Sequence, residues 1–310
     1  MKAMVIEQFG DPTVFQPAEV PTPEIPAHHV LIRVMATSVN PVDVKIRQGA
    51  VAAIAPDFPA ILHGDVAGVV DALGQGVSGL EVGDEVYACA GGIKGTGGAL
   101  AEYMVADASL VAPKPRSLTM LEAAALPLVS ITAWEGLIDR AQVQAGQRVL
   151  VYGATGGVGH VGLQLAKGAG ATVYAMVSSP EKAAVARQLG ADVTLNYRQI
   201  PVADLVAQHT EGQGFDVVFD TVGNDNLQNA FQAARLNGTV VSLVARSQQD
   251  LSLLHAKGLT LHLVFMLLPL LSGINRAHHG WILTQVAQRG RPGATAAPAG
   301  GANLYDRRCG

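Results

Sequence analysis

The pattern of hydrophobic and polar positions changes near residue 121. Before that point, short apolar stretches with partial alternation are separated by Gly, Pro and Asp, a pattern typical of an all-β barrel or sandwich of about 120 residues. The predicted strands of this region are 30–39, 67–71, 85–88 and 101–105. The segment LEAAALPLVSITAWEGLIDRA, 121–141, then has helical spacing.

Strands and helices alternate in the next part of the chain. The predicted strands are 148–153, 172–176, 193–196, 216–220, 239–244 and 260–265, and the predicted helices between them include 159–169 and 180–189. Buried parallel strands are continuous apolar runs joined by helical crossovers, so this spacing predicts a doubly wound parallel sheet. The expected fold class is therefore α/β, with a β domain followed by a Rossmann domain.

The longest apolar run, 259–274, contains His262 and Pro269 and falls short of the roughly 20 residues that a membrane span needs. We expect a buried strand followed by a helix or turn, and no membrane partner.

The composition narrows the function classes. Of 310 residues 35 are Gly and 15% are charged, while 49% are hydrophobic, which excludes a disordered or fibrous protein. The net charge of -4 gives no basic surface for nucleic acid. The two cysteines, Cys89 and Cys309, form neither a disulfide framework nor a metal-ligand motif, and the first residues do not resemble a signal peptide. These features favour a cytoplasmic protein in which Cys89 is a small buried residue.

A glycine motif follows the first strand of the predicted parallel sheet. The segment VLVYGATGGVGHVGLQLAKGAGATVYAMV, 149–177, joins strand, turn, helix and second strand, as a dinucleotide-binding unit does. Gly156 is expected to admit the pyrophosphate closely, and Gly159 to let the helix pack on the strand. Gly157 and Val158 are expected to turn the chain. The alternative is a structural turn without a ligand. The residues predicted to bind the cofactor here are Ala154, Thr155, Gly156, Gly157, Val158 and Gly159.

The end of the second strand distinguishes NADP from NAD. Val177 occupies the position where an acidic residue usually binds the ribose of NAD. Ser178 and Lys182 can instead bind a 2′-phosphate, which favours NADPH. Two alternatives stay open, since Glu181 can be taken as the acidic residue and Lys182 as a solvated surface charge.

Several segments together resemble the medium-chain dehydrogenase/reductase superfamily, in its zinc-independent, zeta-crystallin-like quinone oxidoreductase branch. They are SVNPVDVKIRQG (38–49), the segments 59–88, 97–115 and 123–137, and the glycine motif. The resemblance implies a GroES-like catalytic domain at 1–122, a Rossmann NADP-binding domain at 123–264 and a return segment to the catalytic domain at 265–310. It also implies a homodimer, with the strand near 259–265 as the expected contact.

The resemblance also implies which positions would hold zinc in zinc-dependent relatives. The positions that hold catalytic zinc in zinc-dependent relatives match Asn40 and Gly64, followed by Asp65, and neither Asn40 nor Gly64 is a good zinc ligand. The loop 90–98 lacks the cysteines of a structural zinc lobe. We therefore expect no metal, with His63 as the remaining candidate ligand or, alternatively, a hydrogen-bonded, partly buried imidazole.

By resemblance, Asn40 and Thr132 line the nicotinamide and the reacting carbonyl, and Tyr197 lies near the adenine. Val264, Phe265 and Met266 flank the nicotinamide ring. From the residues alone, Asn40 before a proline is equally a turn former, and Thr132 equally an ordinary packing residue. Lys45 stands where many quinone reductases have Tyr, and is predicted to stabilise or protonate the substrate oxygen. Its alternative is an ion pair with Asp43 or exposure to solvent.

These residues predict an NADPH-dependent oxidoreductase that transfers hydride to a quinone or an α,β-unsaturated carbonyl (enone) without a metal. The alternatives are an alcohol dehydrogenase of the same superfamily and a non-catalytic NADPH-binding chain. The second alternative comes from 289–310, which is rich in Gly, Ala and Arg and has no Val or Ile. We expect a frameshift or truncation from about residue 289, or else a natural disordered C-terminus.

Overall fold

The computed structural model describes residues 1–244 and 246–289. They form two compact units, one of residues 1–131 and 267–289 and one of Thr132–Met266. The strands are β1 (Lys2–Ile6), β2 (Gln16–Glu19), β3 (His29–Thr37), β4 (Ala60–Ile61), β5 (Asp65–Leu73), β6 (Glu85–Cys89), β7 (Tyr103–Asp107), β8 (Ala112–Pro113), β9 (Arg148–Tyr152), β10 (Thr172–Val177), β11 (Val193–Asn196), β12 (Phe215–Asp220), β13 (Ala234–Ser242) and β14 (Thr260–Leu263). The α-helices are α1 (Pro41–Arg47), α2 (Met120–Ala124), α3 (Pro127–Trp134), α4 (Gly157–Gly168), α5 (Pro180–Gln188), α6 (Val202–Thr210), α7 (Asn226–Ala233), α8 (Ser252–Ala256), α9 (Leu268–Ser272) and α10 (Arg276–Arg289).

The first unit contains two antiparallel sheets. Five strands pair in the order β7-β3-β5-β6-β8, and three in the order β2-β1-β4. In β7 the alternation of the sequence is visible as buried Met104 and Ala106 between less buried neighbours. The predicted β-rich N-terminal region is confirmed, with β7 beginning two residues later than predicted.

The helix α10 packs on the first unit. The hydroxyl of Tyr87 donates to the carbonyl oxygen of Leu283 over 2.6 Å, across 196 residues of sequence. At Gly280 a methyl group would collide with the carbonyl oxygen of Ser109, so only glycine allows the helix to approach this closely. These contacts hold a late segment of the chain on the N-terminal sheets.

The second unit is a Rossmann-type domain with six parallel strands. Their order is β11-β10-β9-β12-β13-β14, so the chain reverses direction across the sheet between β9 and β12. The central strands are almost wholly buried, as their continuous apolar runs predict. Ligands of such sheets bind outside the carboxyl ends of the strands at this reversal. The predicted α/β class is confirmed.

The apolar run 259–274 differs from the prediction. It forms β14 and α9, but β14 is the edge strand of the parallel sheet and its side chains are half-buried or exposed, with Leu263 45% exposed. The expectation of a buried strand was wrong, because no further strand of the described chain covers this edge. Within residues 1–244 and 246–289, no helix has the length and apolar character required to cross a membrane.

The two compact units divide at Ile131, inside α3, and again at Met266. The predicted limits at residues 122 and 264 fall before these points, and the three-segment domain assignment stays a prediction. Cys309 and the unusual segment from residue 290 onward lie outside the described residues.

Candidate functional site

The glycine turn lies between β9 and α4 in the second unit. The chain turns at Gly153, whose φ of 65° is in the left-handed region, and Gly156 is the N-cap of α4. At Gly159 a methyl group would collide with the carbonyl oxygen of Gly153, so glycine is required for the helix to pack on the end of the strand. The expected role of Gly159 in close packing is thus visible.

The turn is made earlier than predicted. Gly157 and Val158 are the first two residues of α4 and do not turn the chain, because Gly153 and the residues up to Gly156 already do so. The first N–H groups of a 12-residue helix therefore point out of its N-terminus beside the end of β9. Gly156 and Gly157 are exposed, and Ala154 is buried beneath the turn. The arrangement is a cradle of backbone donors suited to a phosphate.

Polar and basic side chains lie at the carboxyl ends of β10 and β11 and in the first turn of α5, a region that we call the corner. Val177 is paired with Asn196 in the parallel sheet, so the residues that follow them, Ser178 and Tyr197, leave the same edge side by side. The N–H of Tyr197 donates to the carbonyl oxygen of Val177 over 3.2 Å. Tyr197 is 52% exposed, and the guanidinium of Arg198 lies 5.8 Å from its ring centroid. Sequence reasoning missed Arg198, for which the only signal was a basic residue directly after Tyr197.

The first turn of α5 belongs to the same corner. Ser179 is the N-cap and its hydroxyl accepts a hydrogen bond from the backbone N–H of Lys182. The side chain of Lys182 is exposed. Glu181 bonds to Ser179 and to its own backbone, which lowers the pKa of its carboxyl. Glu181 therefore acts locally on the helix N-terminus, while Lys182 and Arg198 supply positive charge at the exposed surface.

The nicotinamide-flanking residues of the prediction lie around the end of β14. Val264 and Met266 are buried, whereas Phe265 is 50% exposed. A methyl group at Gly136 would contact the Val264 side chain at 3.6 Å, so the helical turn after α3 lies against the end of β14. Thr132 is buried one helical turn before Gly136. Within the second unit, Thr132 and Val264 thus belong to adjacent elements.

The first unit contains a buried polar group that we call the Asn40 cluster: Ser38, Asn40, Asp43, Asp65 and Cys89. Asn40 is the N-cap of α1, only 5% exposed, and its backbone N–H donates to Asp43 Oδ2 over 2.7 Å. Its side-chain Nδ2 donates to Asp65 Oδ2 over 2.8 Å and to Ser38 Oγ over 3.3 Å. The Ser38 hydroxyl donates in turn to Asp65 Oδ2 over 2.8 Å.

Burial shifts the acid–base properties of this cluster. It raises the pKa of Asp43 to about 7, helped by the charge of Asp65 and opposed by hydrogen bonds from Asn40. It raises the pKa of Asp65 to about 6 against the hydrogen bonds from Asn40, Ser38, Leu128 and Cys89. Burial and the two carboxylates also raise the pKa of the Cys89 thiol, and the expectation of a small buried residue is confirmed.

Lys45 projects from α1, the helix that Asn40 caps, and its side chain is exposed. Among the described residues, no ion pair joins it to Asp43, which leaves exposure as the observed alternative. The ammonium group of Lys45 is therefore exposed to solvent, and its role toward a substrate stays a prediction.

The residues at the zinc position of the superfamily do not fit the metal. Asn40 presents an amide, and a side chain at Gly64 would begin 2.8 Å from the carbonyl oxygen of Gly91, so none fits there. His63 is 8% exposed, and burial lowers the pKa of its imidazole to about 4. Its Nδ1 has no hydrogen-bond partner among the described residues, so the expectation of a hydrogen-bonded imidazole was wrong for that atom. In 1–244 and 246–289, no group of three or more His, Cys, Asp or Glu residues is arranged to hold a metal ion.

Two family models match the chain. The alcohol dehydrogenase GroES-like domain matches residues 26–116, and the zinc-binding dehydrogenase model matches residues 157–268. The second description names a metal for which the described residues hold no group of three or more suitable ligands.

Individual relatives are similar over most of the chain. The NADPH-dependent alkenal/one oxidoreductase of Arabidopsis thaliana chloroplasts is 39% identical over 249 residues, covering 78% of this chain and 62% of that protein. The quinone oxidoreductase of Rattus norvegicus is 31% identical over 253 residues, covering 81% and 75%. A solved alcohol dehydrogenase superfamily protein from Novosphingobium aromaticivorans has a TM-score of 0.89 and 41% identity, covering 93% of this chain and 86% of that one. The chain spans 62% of the length of the chloroplastic relative.

Proposed function

Since the chain belongs to the zinc-independent quinone oxidoreductase branch of the medium-chain dehydrogenase/reductase superfamily, we propose that it uses NADPH to reduce a quinone or an α,β-unsaturated carbonyl without a metal. The observation that carries the proposal is the glycine cradle at the N-terminus of α4, next to a corner that carries two cations. The substrate class rests on the names of the relatives, which act on alkenals, enones and quinones.

The glycine turn and the corner bind different parts of NADPH. The backbone from Ala154 to Gly159 holds the pyrophosphate at the helix N-terminus. Ser178 offers a hydroxyl, and Lys182 and Arg198 offer charge, to the 2′-phosphate that distinguishes NADPH from NADH, while Tyr197 lies near the adenine. Val177 is buried and apolar where an NAD site needs an acid.

The bound cofactor supplies hydride chemistry, and the protein supplies position, charge and protons. Val264, Phe265 and Met266 shield the nicotinamide from water, and Thr132 orients it. Asn40 is assigned a role in binding the reacting ligand. Lys45 stabilises the oxygen of the quinone or enone as negative charge develops there, and its exposed ammonium group is a proton source on α1.

We also assign a homodimer formed through β14, because no strand of the described residues pairs with the outer edge of β14, beside exposed Leu263. The cytoplasm is the proposed location, supported by the absence of a disulfide framework from the sequence. Sedimentation velocity of the purified chain tests the dimer.

The function is tested by steady-state oxidation of NADPH with two acceptors, 9,10-phenanthrenequinone and a small enone. The expected result is turnover with at least one acceptor that persists after exhaustive treatment with a chelator. No oxidation with either acceptor would overturn the proposal. Turnover that disappears with the chelator and returns with zinc would favour the alcohol dehydrogenase alternative.

A further inference from the structure

The nitrogen end of the Asn40 side chain is fully engaged inside the first unit. Nδ2 carries two N–H groups, and it donates to Asp65 Oδ2 over 2.8 Å and to Ser38 Oγ over 3.3 Å. The carboxyl of Asp43 also bonds to this side chain. The amide nitrogen is therefore surrounded by acceptors.

The reverse orientation of the amide is electrostatically unfavourable. It would turn the carbonyl oxygen of Asn40 toward the carboxylate of Asp65, so that two acceptors face each other. Ser38 cannot relieve this contact, because its single hydroxyl proton is donated to Asp65 over 2.8 Å. The carbonyl oxygen Oδ1 already takes part, with the backbone N–H of Asp43, in the capping box at the start of α1, and its second lone pair is what Asn40 keeps for a ligand.

Asp65 is held firmly enough to impose this orientation. It has no exposed surface, and its Oδ1 accepts the backbone N–H of Leu128 in the first turn of α3 over 2.9 Å. The positive end of that helix favours the carboxylate. Its backbone is fixed as well, because the Thr37 hydroxyl donates to the Asp65 carbonyl oxygen over 2.6 Å.

We propose that Asp65 is a positioning residue that occupies the N–H groups of Asn40, so that Asn40 binds its ligand as a hydrogen-bond acceptor. This inference rests on the proposed function. The ligand group at Asn40 is then a hydroxyl or an amide N–H, and Asn40 gives no stabilisation to a negatively charged substrate oxygen. That charge is left to a cation, for which Lys45 on the same helix is available.

Four proteins test the polarity of the pair: the wild type, Asn40→Asp, Asp65→Asn and the double variant that combines both changes. The first change sets two carboxylates against each other, and the second frees the amide to reverse. In the double variant an amide at position 65 donates to a carboxylate at position 40, and position 40 keeps an acceptor. We expect each single variant to lose about 10- to 100-fold in kcat/KM for NADPH, and the double variant to recover most of that loss.

A double variant no more active than the weaker single variant would overturn the proposal, because a donor role for Asn40 is lost in every variant that carries Asp there. Thermal unfolding of all four proteins separates this result from a loss of fold. The matched control is Asp107→Asn, which breaks the pair with Arg276 and a bond to Ser109 in the same unit. It should lower the unfolding temperature and keep kcat/KM within about twofold of the wild type.

A second measurement needs only the wild-type protein. The side-chain amide protons of Asn40, followed by NMR, should exchange slowly with solvent and keep their chemical shifts when NADP+ is added. Fast exchange, or new hydrogen bonding of these protons to the cofactor, would contradict the proposal even if the variants fail to fold. A wild type that does not oxidise NADPH would refute the proposed function, while the exchange measurement still reports the orientation of the amide.

Discussion

The glycine turn of the second unit and the Asn40 cluster of the first are built in different ways. The turn is made of backbone: Gly153 has a left-handed conformation, Gly156 caps α4 and Gly159 lets the helix touch the strand. The cluster is made of side chains brought together from distant positions, since 63 residues separate Asp65 from its donor Leu128. The first needs a short glycine-rich segment, and the second needs a completed tertiary fold.

This difference determines how each region tolerates change. A backbone site depends on the space that missing side chains leave, so one added methyl group disturbs it. A side-chain site depends on the match of donors and acceptors, so a change of polarity disturbs it more than a change of size. The following variants test the two kinds of site.

The largest effect is expected from Gly159→Ala. The added methyl group collides with the Gly153 carbonyl oxygen and moves α4 away from β9. We expect NADPH binding weaker by about 100-fold and a free energy of unfolding lower by about 1–3 kcal/mol. Fluorescence titration and urea unfolding measure the two quantities. The control Gly168→Ala lies in the same helix with open space around the new methyl group and should bind NADPH as the wild type does.

The next effect concerns the corner at β10 and β11. Lys182→Ala and Arg198→Ala should each weaken NADPH binding by about 10- to 100-fold, because a charge-assisted bond to the 2′-phosphate is lost. NADH binding should not change. Lys167→Ala removes the same charge from α4, where it pairs with Asp192 over 2.6 Å, and is the matched control. Equal loss of NADPH and NADH affinity would contradict the assignment of the corner.

A smaller effect is expected from Lys45→Gln. Because Lys45 is exposed, solvent screens its charge and limits its effect on the substrate oxygen. We therefore expect kcat to fall by only about 10-fold, with little change in stability. The exposed Lys94→Gln is the control in the same unit. Unchanged kcat with both acceptors would remove Lys45 from the mechanism.

The last effect is a pH dependence of stability from Asp43, which leaves catalysis aside. Its pKa is raised from 3.8 to about 7 in the folded protein, chiefly by burial. The folded state then binds a proton that the unfolded state has lost, so this contribution falls as pH rises through the interval, by at most about 1.4 kcal/mol per pH unit. Asp43→Asn should flatten the decline in urea unfolding between about pH 5 and about pH 7. The control Asp57→Asn, at an exposed position, should leave the decline of the free energy of unfolding with pH as it is in the wild type. A decline in Asp43→Asn as steep as that of the wild type would contradict the raised pKa of Asp43.

The sequence predicted the second unit better than the Asn40 cluster, because the glycine turn is local in sequence whereas the cluster depends on tertiary contacts. Apolar periodicity and glycine spacing are local, and they located β9, β10, β11 and α4 within two residues of their observed limits. The helix began at Gly157 and not Gly159, because glycine is permitted on both sides of a helix N-terminus. Arg198 has no periodic signal and was missed.

In the first unit, the sequence singled out Asn40 but not the polarity of its amide. That polarity depends on Asp65, which reaches Asn40 only after β3 and β5 have paired, whereas Ser38 lies two residues before Asn40. The unpartnered Nδ1 of His63 and the exposure of β14 likewise depend on which elements cover which surfaces. Such tertiary contacts have no counterpart in local spacing.

The central claim, an NADPH site at the glycine turn and its basic corner, is tested most directly by titrating the wild-type protein with NADPH and with NADH under the same conditions. We predict that NADPH binds more tightly by about 10-fold or more, because only NADPH carries the phosphate that Lys182 and Arg198 can bind. Equal affinities, or tighter binding of NADH, would contradict the account.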